Sequence, residues 1–443
     1  MDWKIQSAMP GMAWPAIPAP TGAAVLALLY QLEHTQWLAP ERLRELQLRQ
    51  LGELVRHARA SVPYYRDRLG AEDLAGLPLL TRRDLQEHFD ALKSERIPAG
   101  HGAVAELRTS GSTGAPVRTL KTQLSQLVWN AITLRDHGWH RRDLSGKLAA
   151  IRLGVRDQEN ASWGAATDSV VATGPAAGLS ADVDVEKQLA WLQHQQPHYL
   201  LSYPSNTAEL ARLSAAQGIT LPTLREVRTF GEMLDPELRR LCREAWKVPL
   251  VDMYSANEVG YIALQCPERE HYHVQSEGVL VEILDEHGRP CTPGEIGRVV
   301  VTDLHSFATP LLRYDIGDYA EVGAACPCGR GLPVLSRIAG RVRNMLVTAD
   351  GKRFWPRLSD RRFREIAPVL QRQVVQKEFD LIELRLVTAE PLKPAQEERL
   401  RAVALSAMPQ GMRLEFRYCQ TIARGPGGKF EDFICEVATT GSR

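Results

Sequence analysis

The chain has 443 residues, 44% of them apolar and 24% charged, with a net charge of +1. That is an ordinary globular composition with room for about two or three domains, and its charge balance gives no field to draw nucleic acid or a membrane surface. Seven cysteines, an odd number over this length, fit a reducing compartment better than a disulfide framework. Residues 1–35, rich in Pro and Ala, read as a loosely structured lead-in. Their apolar run Ala23–Tyr30 is too short for a bilayer and lacks the basic start of a signal peptide, so a cytoplasmic protein is expected.

A helix is predicted from Pro40, with Leu43, Leu46, Leu51, Leu54, Val55 and Ala58 at helical spacing and Val62-Pro63 as its stop. Strands are predicted over 147–155, 198–203, 224–230 and 248–253. Helices alternate with them, over 205–217 and from Asp235-Pro236-Glu237, where an Asp cap, a first-turn Pro and an acid coincide. From Gly278 onward, short alternating runs separated by turn sequences predict antiparallel hairpins. The last hundred residues mix short strands and helices. The fold class is therefore α/β: a large N-terminal α/β domain with added antiparallel β hairpins, over 1–343, and a small α+β C-terminal domain, over 344–443.

The segment Leu107–Pro116 holds two glycines and four hydroxyl side chains. Glycine lets backbone N–H groups close on an anion, and successive N–H groups form a nest for phosphate oxygens. No Gly-Lys-Ser/Thr follows, so it is not a Walker loop. Downstream come Tyr254-Ser255-Ala256-Asn257-Glu258, then Arg313-Tyr314-Asp315-Ile316-Gly317-Asp318, then Arg337-Ile338-Ala339-Gly340-Arg341, then Gly427-Gly428-Lys429. In this order the set resembles the adenylate-forming superfamily of acyl-CoA synthetases, adenylation domains and luciferases. Residues 46–66 are similar to the opening helix of its phenylacetate–CoA ligase branch.

The resemblance implies a two-step reaction. A carboxylate attacks the α-phosphate of ATP to give an acyl-adenylate and pyrophosphate, then the thiol of coenzyme A displaces AMP. It implies that Thr109, Ser110, Gly111, Ser112, Thr113 and Gly114 hold the β- and γ-phosphates. Gly231 and Glu232 match the adenine-side loop, although a helix-capping Glu is the plain alternative. Tyr254, with Ser255 beside it, would stack on adenine, and Glu258 would bind Mg²⁺, an oxygen-seeking ion. Asp318 would accept both ribose hydroxyls, since a carboxylate can take two such bonds, while Asp315 is structural. Arg337 and Arg341 match the nucleotide-side arginines flanking the hinge at Asn344, where relatives carry Asp or Lys and about which the resemblance implies a mobile small domain; Arg341 would point at the ribose or phosphate as a fixed cation. Lys429 matches the catalytic lysine. Arg118 takes no definite role, with Lys121 the next lysine along.

Cys326-Pro327-Cys328 brings two thiols together on a turn. Cys266 and a histidine, His273 in preference to His271, would complete a four-ligand structural zinc site, against ordinary reduced cysteines. The branch resemblance supports zinc. Trp139, Trp163, Tyr203 and Phe230 are candidate walls for a flat acyl group. The expected function is ATP-dependent activation of a carboxylic acid, aryl or arylacetic, with transfer to coenzyme A. A stand-alone adenylating enzyme serving an amine, a carrier-protein thiol or another acceptor is the alternative, and a catalytically silent binding protein a third. The expected partners are small molecules, with no nucleic acid and no membrane; a homodimer is compatible with this reading.

Overall fold

A computed structural model describes residues 3–69, 76–108, 116–341, 345–354, 356, 358, 360–423 and 430–437. The chain divides into two compact units, Met1–Ile338 and Ala339–Arg443.

The first unit opens with helices α1 (Pro20–Thr35), α2 (Pro40–Ser61), α3 (Pro63–Arg66), α4 (Arg82–Glu87) and α5 (Phe89–Leu92). A hairpin follows, β1 (Val104–Arg108) with β2 (Arg118–Thr122), then α6 (Gln123–Trp139). Next come β3 (Leu148–Arg152), β4 (Gln158–Asn160), α7 (Ala165–Asp168), β5 (Ala176–Ser180), α8 (Val185–Gln195), β6 (Tyr199–Ser202), α9 (Pro204–Gln217), β7 (Glu226–Phe230) and α10 (Pro236–Trp246). The strands β8 (Leu250–Ala256), β9 (Gly260–Gln265), β10 (Tyr272–Val274), β11 (Val279–Leu284), β12 (Ile296–Asp303), β13 (Tyr314–Val322) and β14 (Val334–Arg341) complete it, β14 running on across the division.

Most of these strands form a single sheet of twelve, in the order β11-β12-β13-β14-β10-β9-β8-β7-β6-β3-β5-β4. The centre is parallel, from β5 through β3, β6 and β7 to β8. Antiparallel pairing starts at β8–β9. The hairpins expected as an addition are thus a continuation of the parallel sheet, which carries β13 round toward the carboxyl end of β8. The helix over α10 starts as its sequence predicts, with the Asp235 carboxylate accepting the Glu237 N–H at 2.9 Å.

The expectation of a loose lead-in over 1–35 is overturned by α1 for residues 20–35, while residues 3–19 carry no helix or named strand. Val25, Leu29 and Leu32 are buried in one cluster with Ile132 and Leu134 of α6. Gly22 permits this packing: a Cβ there would lie 1.9 Å from the Ser169 carbonyl oxygen. Each fully buried aliphatic side chain contributes about 1.5–3 kcal/mol, so the helix is held by packing and needs no polar face.

Two buried ionic groups fasten α6. Arg135, fully buried, pairs with Glu277 at 2.7 Å and also donates to the Leu32 carbonyl, while Thr35 donates to Glu277 at 2.6 Å. The next residue, Asp136, receives Arg142 at 2.6 Å and Arg228 of β7 at 2.8 Å, and Arg142 also pairs with Glu226 at 2.6 Å. Burial alone would raise the Asp136 carboxyl, but Arg142 and Arg228 outweigh it and hold the group below the usual carboxylate range. His137 and His140 lie in the same cluster, and burial first, then the two arginines, keep both imidazoles neutral, His140 down to about 4.

The second unit has strands β15 (Leu346–Val347), β16 (Arg353–Phe354), β17 (Val369–Glu378), β18 (Leu381–Thr388), β19 (Arg413–Tyr418) and β20 (Phe433–Cys435), with helices α11 (Asp360–Ile366) and α12 (Pro394–Ser406). Four strands form a mixed sheet, β19-β18-β17-β20, over a core that includes Phe363, Ile382, Leu384, Leu400 and Phe433. Among the described residues no helix is long and apolar enough to cross a membrane.

Candidate active site

The carboxyl ends of β7 and β8 lie side by side, the place where open α/β sheets bind ligands. Phe230 ends β7 and Gly231 follows with φ +78°. Glu232 accepts the Ser205 N–H at 2.9 Å, at the start of α9. The plain capping role is therefore present at Glu232.

On β8 the pairing with β9 slips between Tyr254 and Ser255, a bulge of the kind that re-aims side chains beside active sites. Tyr254 is buried and its hydroxyl donates to Asp318 Oδ2 at 2.9 Å. Glu258 sits in the turn after β8, where Tyr314 donates to its Oε1 at 3.3 Å. Tyr314 and Asp318 both belong to β13. Two residues four apart on β13 thus grip two residues four apart at the end of β8. Lys121 of β2 ties the same turn from the other side, donating to the Val259 carbonyl at 3.3 Å and pairing with Asp303 at 2.5 Å.

The remaining motif residues are placed as follows. Asp315 accepts the Gly317 N–H at 3.0 Å, and Arg313 pairs with Glu282 at 3.0 Å. Arg118 pairs with Glu106 at 2.9 Å. Arg337 pairs with Glu321 at 2.7 Å, and Arg341 ends β14 in the second unit. Thr109, Ser110, Gly111, Ser112, Thr113 and Gly114, which join β1 to β2, lie outside the described residues, as do Asn344 and Lys429. Tyr314 was missed by the sequence reading, although it sits inside a quoted motif.

Two residues before Tyr254, Asp252 is buried and accepts Thr229 and Tyr272 hydroxyls, both at 2.6 Å. Burial nonetheless pushes its carboxyl up to about 6. Of the candidate aromatic walls, Trp139 is a core residue: its indole donates to Gln36 at 2.9 Å and the Arg330 guanidinium lies 4.6 Å from its ring centre. Tyr203 and Phe230 pack together with ring centres 5.0 Å apart, and Trp163 packs on Tyr199.

The sulfur and imidazole groups converge. Donor atoms of Cys266, His271, His273 and Cys326 all lie within 4.8 Å of one another. Cys328 Sγ is 3.4 Å from His273 Nε2, and the Cys266 and Cys326 sulfurs are 3.9 Å apart. Tetrahedral zinc would separate two sulfurs by about 3.8 Å and a sulfur and a nitrogen by about 3.6 Å, so soft donors stand at suitable spacing. His273 Nδ1 faces the Leu332 carbonyl at 3.4 Å, leaving Nε2 toward the sulfurs. The buried His271 Nε2 has no hydrogen-bond partner among the described residues. Beyond the cysteines, Arg330 donates to Gln36 at 2.8 Å, and Gly331 lets the loop approach Leu38, whose carbonyl oxygen would lie 1.8 Å from a Cβ.

The family model of the AMP-binding enzymes matches residues 71–307, more than half of the chain. The chain belongs to the AMP-binding enzyme family. The curated relatives of this family member include phenylacetate-coenzyme A ligases. That of Thermus thermophilus is 28% identical over 348 residues, covering 72% of this chain and 75% of the relative. That of Escherichia coli is 25% identical over 378 residues, covering 78% and 82%. Among solved structures, a 2-hydroxyisobutyryl-CoA ligase in its postadenylation state with 2-HIB-AMP has a TM-score of 0.74 at 18% identity, over 91% of this chain and 92% of that one. An anthranilate CoA ligase with anthranoyl-AMP has a TM-score of 0.58 at 16% identity, over 76% and 68%. At such identities these structures show the α/β fold alone.

Proposed function

We propose that this AMP-binding enzyme activates a carboxylic acid, aryl or arylacetic, as its acyl-adenylate and transfers it to coenzyme A with release of AMP. The observation that carries the reading is the assembly of Tyr254, Glu258, Tyr314 and Asp318 at the carboxyl ends of the parallel strands. The names of the curated relatives support the acid class and the acceptor.

The first step gathers negative charge on phosphate oxygens, so catalysis is chiefly positioning and electrostatics. Asp318 would take the ribose hydroxyls, held in place by Tyr254. The Tyr254 ring would lie against adenine, beside Gly231 and Glu232. The loop Thr109–Gly114 would cradle the outer phosphates. A buried carboxylate with one oxygen engaged by Tyr314 is a fitting hard donor, so Glu258 would hold Mg²⁺, which would neutralise phosphate charge. Lys429 is assigned the cation that meets the α-phosphate and the acid carboxylate. Arg337 and Arg341 flank the proposed pivot at Asn344, which would let the small C-terminal domain, 344–443, serve the two steps in turn. Cys266, His273, Cys326 and Cys328 would hold a structural zinc, with His271 the competing imidazole.

ATP–pyrophosphate exchange against a panel of aryl and short-chain acids tests this reading, with AMP release measured with and without coenzyme A. Exchange with coenzyme A-dependent AMP release is expected. Exchange indifferent to coenzyme A would transfer the protein to another acceptor, and no exchange with any acid would overturn the adenylation reading.

A further inference from the structure

We propose that Tyr314 is a positioning residue that orients Glu258 for its metal. The inference rests on the reading of Glu258 given above and adds a residue to it.

Glu258 has no regular strand around it. It stands in the turn between β8 and β9, past the bulge at Tyr254–Ser255 and before Gly260, whose φ is +115°. A glutamate in such a place has several rotamers of similar energy, and fixing one costs up to about 2 kcal/mol. Glu258 is buried, and the Tyr314 hydroxyl donates a directional hydrogen bond to its Oε1. Tyr314 is itself fully buried, so its ring cannot swing to another partner. The Leu80 backbone clamps the strand at this point, its N–H donating to the Arg313 carbonyl at 3.0 Å and its carbonyl accepting from Asp315 at 2.9 Å.

The length of the contact bears on its role. At 3.3 Å it is well outside the 2.5–2.7 Å of a strong hydroxyl–carboxylate bond, so it adds little to stability. It still distinguishes the two carboxylate oxygens, because Oε1 carries the hydrogen bond. Groups that orient metal ligands in this way change metal affinity far more than they change folding.

The test is Tyr314→Phe, which removes the hydroxyl and keeps the ring. Mn²⁺ binding in the presence of ATP, followed by electron paramagnetic resonance, reads the metal site directly. The expected result is about tenfold weaker Mn²⁺ binding, an unchanged thermal midpoint, and an exchange rate that recovers as Mg²⁺ is raised. In a Glu258→Gln background Tyr314→Phe should then have no further effect, because the oriented group is gone. Mn²⁺ binding weakened by Glu258→Gln but untouched by Tyr314→Phe would overturn the positioning role alone. Unchanged binding in Glu258→Gln would overturn the metal reading of Glu258 itself and the positioning role with it.

Discussion

Tyr254 and Asp318, sixty-four residues apart, meet through a hydrogen bond of 2.9 Å. The nucleotide-binding candidates on β8 are thereby locked to the antiparallel extension of the sheet. Asp318→Ala removes both the proposed ribose acceptor and this lock, and ATP binding measured by calorimetry should weaken about tenfold or more. Tyr254→Phe leaves the carboxylate and removes only its anchor, so a smaller loss is expected. Equal, unchanged affinities in both variants would refute the ribose assignment.

Lys429→Ala should reduce adenylation by about a hundredfold or more, the scale of losing an electrostatic partner of the transition state. Thioesterification of a supplied acyl-adenylate should be spared. Single-turnover measurements of the two half-reactions separate these outcomes, and equal loss in both would refute the assignment.

Elemental analysis of the purified protein should find close to one zinc per chain, and Cys326→Ser should abolish it. Chelation should lower the thermal midpoint, because the metal would cross-link the end of β9, β10 and the Cys326–Cys328 turn. A metal-free protein with an unshifted midpoint would remove the site.

Asp136→Ala leaves Arg142 and Arg228 buried without their shared carboxylate. Breaking a buried ion pair from one side costs about 3–5 kcal/mol, and urea unfolding should show it. A loss under about 1 kcal/mol would mean that the arginines find other partners.

Asp252 links stability to pH in the opposite sense from a paired carboxylate. Its carboxyl is raised in the folded state to about 6, against about 3.9 when unfolded. The stability it supports is complete below the lower value and is lost as pH climbs to the upper one, about 3 kcal/mol in all. Urea unfolding of Asp252→Asn between pH 4 and 7 should lack this falling contribution. A difference from the parent that is flat with pH would refute it.

The sequence made local features legible and left distant ones hidden. Pro40, Val62-Pro63 and Asp235-Pro236 marked helix limits because their chemistry acts within a turn. By contrast, no charged residue falls between Ile5 and Leu32, so α1 had no polar face to reveal its period. The motif containing Tyr314 was visible, but its partner stands fifty-six residues away, and the Asp136–Arg228 pair spans ninety-two. Spacing along a chain carries no signal for such contacts. The cysteine and histidine set was readable because soft donors are rare, although proximity leaves two histidines in contention.

The dependence of α6 on Leu32, Thr35 and Gln36 has a practical consequence for fragment design. Trimming the protein to the span matched by the family, residues 71–307, would discard that support. It would also delete Tyr314 and Asp318, leaving Glu258 and Tyr254 without the strand that grips them. The span that marks the family is therefore shorter than the span that holds the proposed nucleotide site together.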